Sequence, residues 1–411
     1  MTQTPQPAPK RPRSTPRGAI SPQEYAEALE DLGYTFRLNE AGDTIEVNGQ
    51  RLDDFILSII RAKMRGEGFT NAAAVEDVVR AEAYARRYHP IKAYLTSVGM
   101  TYNGQGNIAL LADHCEDVTK PHPLFGMWLR RWLIGAVAKA MDGNRTQNAM
   151  LVLDGPQGIG KSYFARWLCS PMPDYFLDDA INPSDKDSII RLAMYWIWEV
   201  GELGSTIRKA DVEALKAFIT RQVVAVRKPY GRVDMVKPAL ASLIGTVNNS
   251  AGILVDTTGN RRFLVATLNS IDWAYTTNLD PNQVWAEAFN AWVGGESWYL
   301  TKDESTQSEE NNQIYRLPNP IDGYLAKYFE IDANDQDPDH WTSTADIVGR
   351  VIEMGYKGQS TRSIAMEIAT HLSEMGVQKV RKWRGRSGVW GYQGVVPCLG
   401  TSTTNPPTNQ P

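Results

Sequence analysis

Residues 149–162 read AMLVLDGPQGIGKS, and the rest of the chain takes its meaning from them. The apolar run Met150 to Leu153 is a short strand that meets a glycine-rich turn, and Tyr163 to Leu168 continues as a helix. The turn carries the pattern G-x-x-x-x-G-K-[ST] from Gly155 through Pro156, Gln157, Gly158, Ile159 and Gly160 to Lys161 and Ser162. Glycines let successive backbone N–H groups close around a phosphate, and the helix N-terminus adds positive potential there. Lys161 is spaced to reach the β and γ phosphates, and Ser162 to offer its hydroxyl to Mg²⁺. Only a nucleoside triphosphate uses all of these parts.

The stretches that follow add to this reading. MYWIWEVGEL, 194–203, is an apolar strand that ends at Glu199 with Glu202 just beyond. About 40 residues after a phosphate loop, an acid at the carboxyl end of a strand can hold Mg²⁺ through water, and a second acid can polarise the attacking water. Acids also mark the solvent end of ordinary strands, so position carries the argument. In DVEALKAFITRQVVAVRKPYGRVDMVK, 211–237, a helix gives way to two β-rich arms joined by a turn with Arg227, Lys228, Tyr230 and Arg232 at or beside its tip. Such a tip either grips a sugar-phosphate backbone and stacks a base, or is a solvated turn. ALASLIGTVNNS, 239–250, is an apolar strand whose tip presents Asn248, an amide able to bond a γ phosphate or the attacking water. DTTGNRRF, 256–263, sets Arg261 and Arg262 in a turn before another strand, where one arginine can neutralise charge on a neighbouring subunit's phosphate or simply form a salt bridge.

The order GPQGIGKS, WIWEVGEL, LKAFITRQVVAVRKPYGR, IGTVNN and TGNRRF resembles the virulence-associated protein E family, phage and mobile-element proteins of the superfamily 3 helicase type, which are AAA+ ATPases. The similarity runs from about Tyr88, where YHPIKAYL also fits, to about Leu300. The resemblance implies that Lys161 and Ser162 bind the phosphates of ATP and Mg²⁺, that Glu199 is the Walker B acid and that Glu202 is the candidate base. It further implies Asn248 as sensor, Arg261 or Arg262 as an arginine finger acting in trans, and the 223–236 hairpin as the DNA-gripping element of a ring. Val200 and Gly201 separate the two acids, which many AAA+ proteins place side by side. Larger relatives carry a primase-polymerase domain, whereas the first 90 residues here are short and lack a cluster of acids, so a primase or polymerase is expected as a separate partner.

Composition sets the frame. The chain has 411 residues, a net charge of −4 and an ordinary apolar fraction. No apolar run approaches the ~18 residues of a membrane span, so a soluble, cytoplasmic protein of a bacterial host cell is expected, with no membrane partner. Cys115, Cys169 and Cys398 lie far apart, which argues against disulfides and zinc, and His114, Cys115 and His122 lack a fourth ligand. Residues 1–20, with Lys10, Arg11, Arg13 and Arg17, read as a disordered basic arm. Residues 21–90 read as a small α+β region: a capping box at Ser21, Pro22 and Glu24, a hairpin from YTFRLN and DTIEVN, and helices from Leu52 to Gly66 and Ala72 to Arg87 whose apolar residues are assigned to a core.

Residues 91–142 read as a helical collar in which Trp128 and Trp132 pack inside, 143–300 as the ATPase domain, and 301–319 as a polar linker. From 320 to 397 two helices are followed by VQKVRKWR, a turn and VWGYQGVV, the layout of a winged helix. Lys379, Arg381, Lys382, Arg384 and Arg386, with Arg362, would then face phosphate, and Trp383 and Trp390 would pack beneath or stack; a protein-docking role is the alternative. Residues 398–411 read as a disordered tail. The fold expectation is therefore an α/β AAA+ P-loop core with a helical N-terminal region and a C-terminal winged helix. The functional expectation is an ATP-dependent helicase that forms a homo-oligomeric, hexameric ring on single-stranded or forked DNA, with polarity 3′ to 5′ by resemblance alone. The alternatives are an ATP-driven initiator or loader that does not unwind, and, more remotely, a small-molecule kinase.

Overall fold

The computed structural model describes residues 20–143, 146–201, 203, 209–227, 234–248, 262–315, 320–358, 360–384 and 387–398. It is a mixed α/β structure, and the chain divides into two compact units, Met1–Arg316 and Leu317–Pro411.

The first unit begins with the helix Pro22–Asp31, capped as its sequence requires: Ser21 accepts from the Glu24 amide while the Glu24 carboxylate takes the Ser21 N–H. A three-stranded antiparallel sheet follows, β1 (Phe36–Asn39), β2 (Thr44–Val47) and β3 (Gln50–Arg51), with helices Asp54–Gly66 and Ala72–Ala85 over it. Leu29, Phe36, Ile60, Met64, Val75 and Val79 form its core. Two apolar residues expected in that core are outside it: Phe55 is 81% and Ile59 54% exposed. At 100° per residue, Ile56, Ile60 and Met64 make one stripe that faces the small core, and Phe55 and Ile59 make the adjacent stripe, which faces away.

Helices Pro90–Gly99 and Asn107–Asp113 lead to β4 (Cys115–Asp117) and the helix Phe125–Asp142. This stretch is more than a helical collar. β4 joins the main sheet, and the Phe125–Asp142 helix lies on that sheet's face, with Trp128 and Trp132 fully buried in one core with Leu151, Ile244 and Leu264. Trp132 Nε1 donates to the Leu243 carbonyl at 3.0 Å. Lys139, on the same helix, is buried and donates to the Ala241 carbonyl at 2.5 Å; loss of water pulls its ammonium down to about 8.

The main sheet adds β5 (Met150–Asp154), β6 (Phe176–Asp178), β7 (Ile197–Val200), β10 (Ser242–Val247) and β11 (Phe263–Ile271), and its order is β4-β11-β5-β10-β7-β6. All neighbours are parallel except β4, which runs antiparallel to β11. β5, β7 and β10 are buried along their whole lengths, as strands covered on both faces must be. Beside this sheet, β8 (Val223–Arg227) and β9 (Asp234–Pro238) pair antiparallel as expected of the two arms, and Arg227 is opposite Asp234. The stretch read as a linker instead folds as the helix Lys302–Ile314. Its polarity is turned inward: the Asn311 and Asn312 amides donate to the carbonyls of Val265 and Phe263, at 2.8 and 3.3 Å.

The second unit has the helix Pro320–Tyr328, β12 (Phe329–Ile331), β13 (Trp341–Ser343), helices Thr344–Glu353 and Thr361–Glu374, and β14 (Lys379–Arg384), β15 (Ser387–Gln393) and β16 (Val395–Pro397). β13, β15 and β14 form one antiparallel sheet and β12 with β16 another, around a core of Leu325, Ile347, Val351, Ile368, Leu372 and Tyr392. Among the described residues of both units, no helix is long and apolar enough to cross a membrane.

Candidate nucleotide site

β5, β10 and β7 are adjacent and parallel, so their carboxyl ends open on one edge of the sheet, where ligands of α/β proteins collect. β5 delivers the glycine-rich turn to that edge. Gly155 has φ +148°, and a Cβ there would lie 2.0 Å from the Leu268 carbonyl oxygen. Gly160 has φ +104° and precedes the helix Lys161–Leu168 directly, so the amides of that first turn point into the loop.

Lys161 turns back over the loop. Its Nζ donates to the carbonyls of Gly155 (2.8 Å) and Pro156 (2.7 Å) and to Asn248 Oδ1 (3.1 Å), the residue just past β10. Burial lowers the pKa of the ammonium, opposed by the nearby Asp154 carboxylate. Glu199 is almost wholly buried on β7, and Thr246 of β10 donates its hydroxyl to Glu199 Oε1 at 3.2 Å. Burial raises the Glu199 carboxyl above the ordinary carboxylate range; Asp178, opposite it on β6, adds to the rise, while the hydroxyls of Ser162 and Thr246 oppose it. Glu199 Oε2 is buried without a hydrogen-bond partner among the described residues.

The fold thus brings Lys161, Ser162, Glu199 and Asn248 together at one edge. Arg262 lies elsewhere. It directly precedes β11, and the register Phe263↔Met150 to Thr267↔Asp154 sets it at the sheet's opposite edge, on the order of 20 Å of strand from the loop. There it lines a cleft with Gln147, Asn148, Thr220 and Trp298. Glu202, Arg261 and the hairpin-tip residues Lys228, Tyr230 and Arg232 lie outside the described residues, as does Arg386. In the second unit Lys379 and Arg381 are exposed on β14, while Lys382, one residue out of phase, turns to the other face and donates to the Pro338 carbonyl. Arg384 ends that strand.

Sequence reasoning saw Thr246 only as part of a strand end, gave it no role, and passed over Asp178. Thr246 was detectable, being two residues before Asn248 on a strand and so on the same face; the three residues of β6 carry no period to read.

A family model described as the virulence-associated protein E-like domain matches residues 95–317, more than half of the chain. The chain belongs to the virulence-associated protein E-like family. The matched span takes in β4 to β11, and with them every described residue of the edge just described. None of the curated proteins matches the chain. Among solved structures, the A form apo structure of the NrS-1 C terminal region is 12% identical, with 91% of this chain and 99% of that one covered and a TM-score of 0.49. A further apo structure of the NrS-1 C terminal region is 12% identical over the same shares, with a TM-score of 0.44.

Proposed function

We propose that this family member is a Mg²⁺-dependent ATPase that works on single-stranded or forked DNA during phage or mobile-element replication, as a homo-oligomeric ring of six subunits. The observation that carries the reading is the meeting of Lys161, Asn248 and the buried Glu199 beside the glycine-rich loop. The residues fit the ligands. Glu199 has an orphaned carboxylate oxygen, and the Ser162 hydroxyl is close to its carboxyl group; together they offer hard oxygens suited to Mg²⁺ and its waters. Lys161 holds two loop carbonyls that phosphate oxygens would replace.

Mg²⁺ bound with the triphosphate supplies neutralisation of the charge on the β and γ oxygens. The chain's own residues do the remainder. Loop amides from Gly155 to Ser162 cradle the phosphates, and Lys161 moves its ammonium from the loop carbonyls onto the β and γ oxygens. Asn248, already bonded to Lys161, orients the attacking water by the state of the γ phosphate. Glu202 accepts the proton from that water. Arg262, on the far edge of its own sheet, is better placed for a neighbouring subunit's phosphate than for its own, which supports action in trans; Arg261 shares that position in the sequence. The hairpin of β8 and β9 grips the strand with Arg227, Lys228, Tyr230 and Arg232, and the second unit acts as a winged helix.

The test is ATP hydrolysis by the full chain with and without single-stranded DNA, beside Lys161→Ala. Stimulation by single strands that is lost in the variant supports a motor and calls for strand-displacement assays. Hydrolysis indifferent to DNA sinks the helicase reading and favours the initiator or loader.

A further inference from the structure

The two strands of the second unit's hairpin alternate so that one face carries Lys379, Arg381 and Trp383 from β14, opposite Tyr392, Trp390 and Gly388 of β15. Tyr392 belongs to the core, but the two tryptophans do not: Trp383 is 69% and Trp390 51% exposed. They neither pack beneath the sheet nor pair with each other. The Arg381 guanidinium lies between them, 5.1 Å from the Trp383 ring and 5.9 Å from the Trp390 ring, and Lys379 lies 5.9 Å from Trp390. Gly388 makes this possible, since a Cβ there would fall 2.2 Å from Arg381 Nε; the guanidinium occupies the space of the missing side chain. Among the described residues no carboxylate neutralises Lys379 or Arg381.

We infer that this face is a stacking platform for the unpaired bases of a single nucleic-acid strand. Two large indoles left more than half open to water on one face of a hairpin are little used in packing, and their flat faces match flat, unpaired bases. A duplex hides those faces inside its own stack and shows a protein only base edges and phosphates. The Arg381 guanidinium both props the rings apart and offers its own plane for stacking, and with Lys379 it supplies the charge that attracts the backbone. A protein partner of ordinary acidity would answer the cations but leave no reason for two separated, solvent-facing rings. The inference deepens the nucleic-acid half of the proposed function and is independent of the ATPase half, because it concerns binding without nucleotide.

The test is anisotropy titration of the full chain, without ATP, against three labelled probes of equal phosphate number: an oligothymidylate, the same strand with abasic sites, and a duplex. Trp383→Ala and Trp390→Ala are each compared with the parent, and circular dichroism checks that each variant folds. Each variant should bind oligothymidylate about tenfold more weakly, with little change on the abasic strand and an unchanged salt slope. Arg381→Ala should weaken binding to both single strands and lower the slope. Equal losses on oligothymidylate and abasic strand, or a loss confined to duplex, would overturn the inference. So would unchanged affinity together with weakened self-association, which would make the face a protein contact. ATP hydrolysis lost in Lys161→Ala bears on the other reading alone.

Discussion

Replacing Lys139 by methionine asks whether the Phe125–Asp142 helix holds a buried charge against the sheet. The ammonium falls from an ordinary 10.5 to about 8 because it is out of water, with the Ala241 carbonyl as its hydrogen-bond acceptor. At about 1.4 kcal/mol per unit, the charged lysine costs the folded state roughly 3 kcal/mol below pH 8. Methionine removes that cost and forfeits a hydrogen bond of about 1 to 2 kcal/mol, so Lys139→Met should be the more stable protein at pH 7, by about 1 to 2 kcal/mol. Between about pH 8 and 10.5 the folded parent has released its proton while the unfolded chain still holds one, so the parent's stability rises with pH relative to the variant. The order should reverse near pH 10.5, where the neutral amine keeps its bond without a charge penalty. Urea unfolding of both chains from pH 7 to 10.5 measures the difference. A difference that stays constant across that range refutes the buried, depressed lysine.

Three further outcomes follow from the nucleotide edge and from Arg262 at the far edge of the sheet. Gly160→Ala forces a side chain to φ +104° and sets its Cβ 2.7 Å from the Trp273 ring; binding of a fluorescent ATP analogue should weaken at least about tenfold, and adding Trp273→Ala should restore only part of it, since the backbone strain stays. Glu199→Gln preserves shape and removes charge, so nucleotide should still bind while hydrolysis falls about a hundredfold or more; parallel losses of binding and turnover would refute the assignment. Mixing Arg262→Ala with Lys161→Ala, each inactive alone, should recover hydrolysis if the arginine serves a neighbour, and continued silence would remove the trans assignment.

Where local physics decides, the sequence was legible. An apolar run, glycines that tolerate positive φ and a helix start define the β5 turn without help from distant residues, and so does the capping box at Ser21. What escaped depends on tertiary partners. The three residues of β4 show no period and become a strand only because β11 offers an open edge. The helix Lys302–Ile314 looked like a linker because polarity usually means water, yet Ser308, Asn311 and Asn312 are fully buried and the two asparagines answer carbonyls of Phe263 and Val265. Phe55 and Ile59 show the reverse, apolar residues at helical spacing that stay exposed among the described residues. At the site, Lys161, Ser162, Glu199 and Asn248 were found from motif and order, but their meeting requires β10 to lie between β5 and β7, an order that no spacing along the chain reveals.

The main sheet ends on both sides in three-residue strands, β4 and β6. So short a rim gives another copy almost no ladder to continue. Copies that met at the rims of this sheet, as in the proposed ring, would therefore join there through side-chain surfaces rather than through a shared sheet. Contacts of that kind can slide, loosen and re-form, whereas a sheet running from subunit to subunit would have to be unzipped.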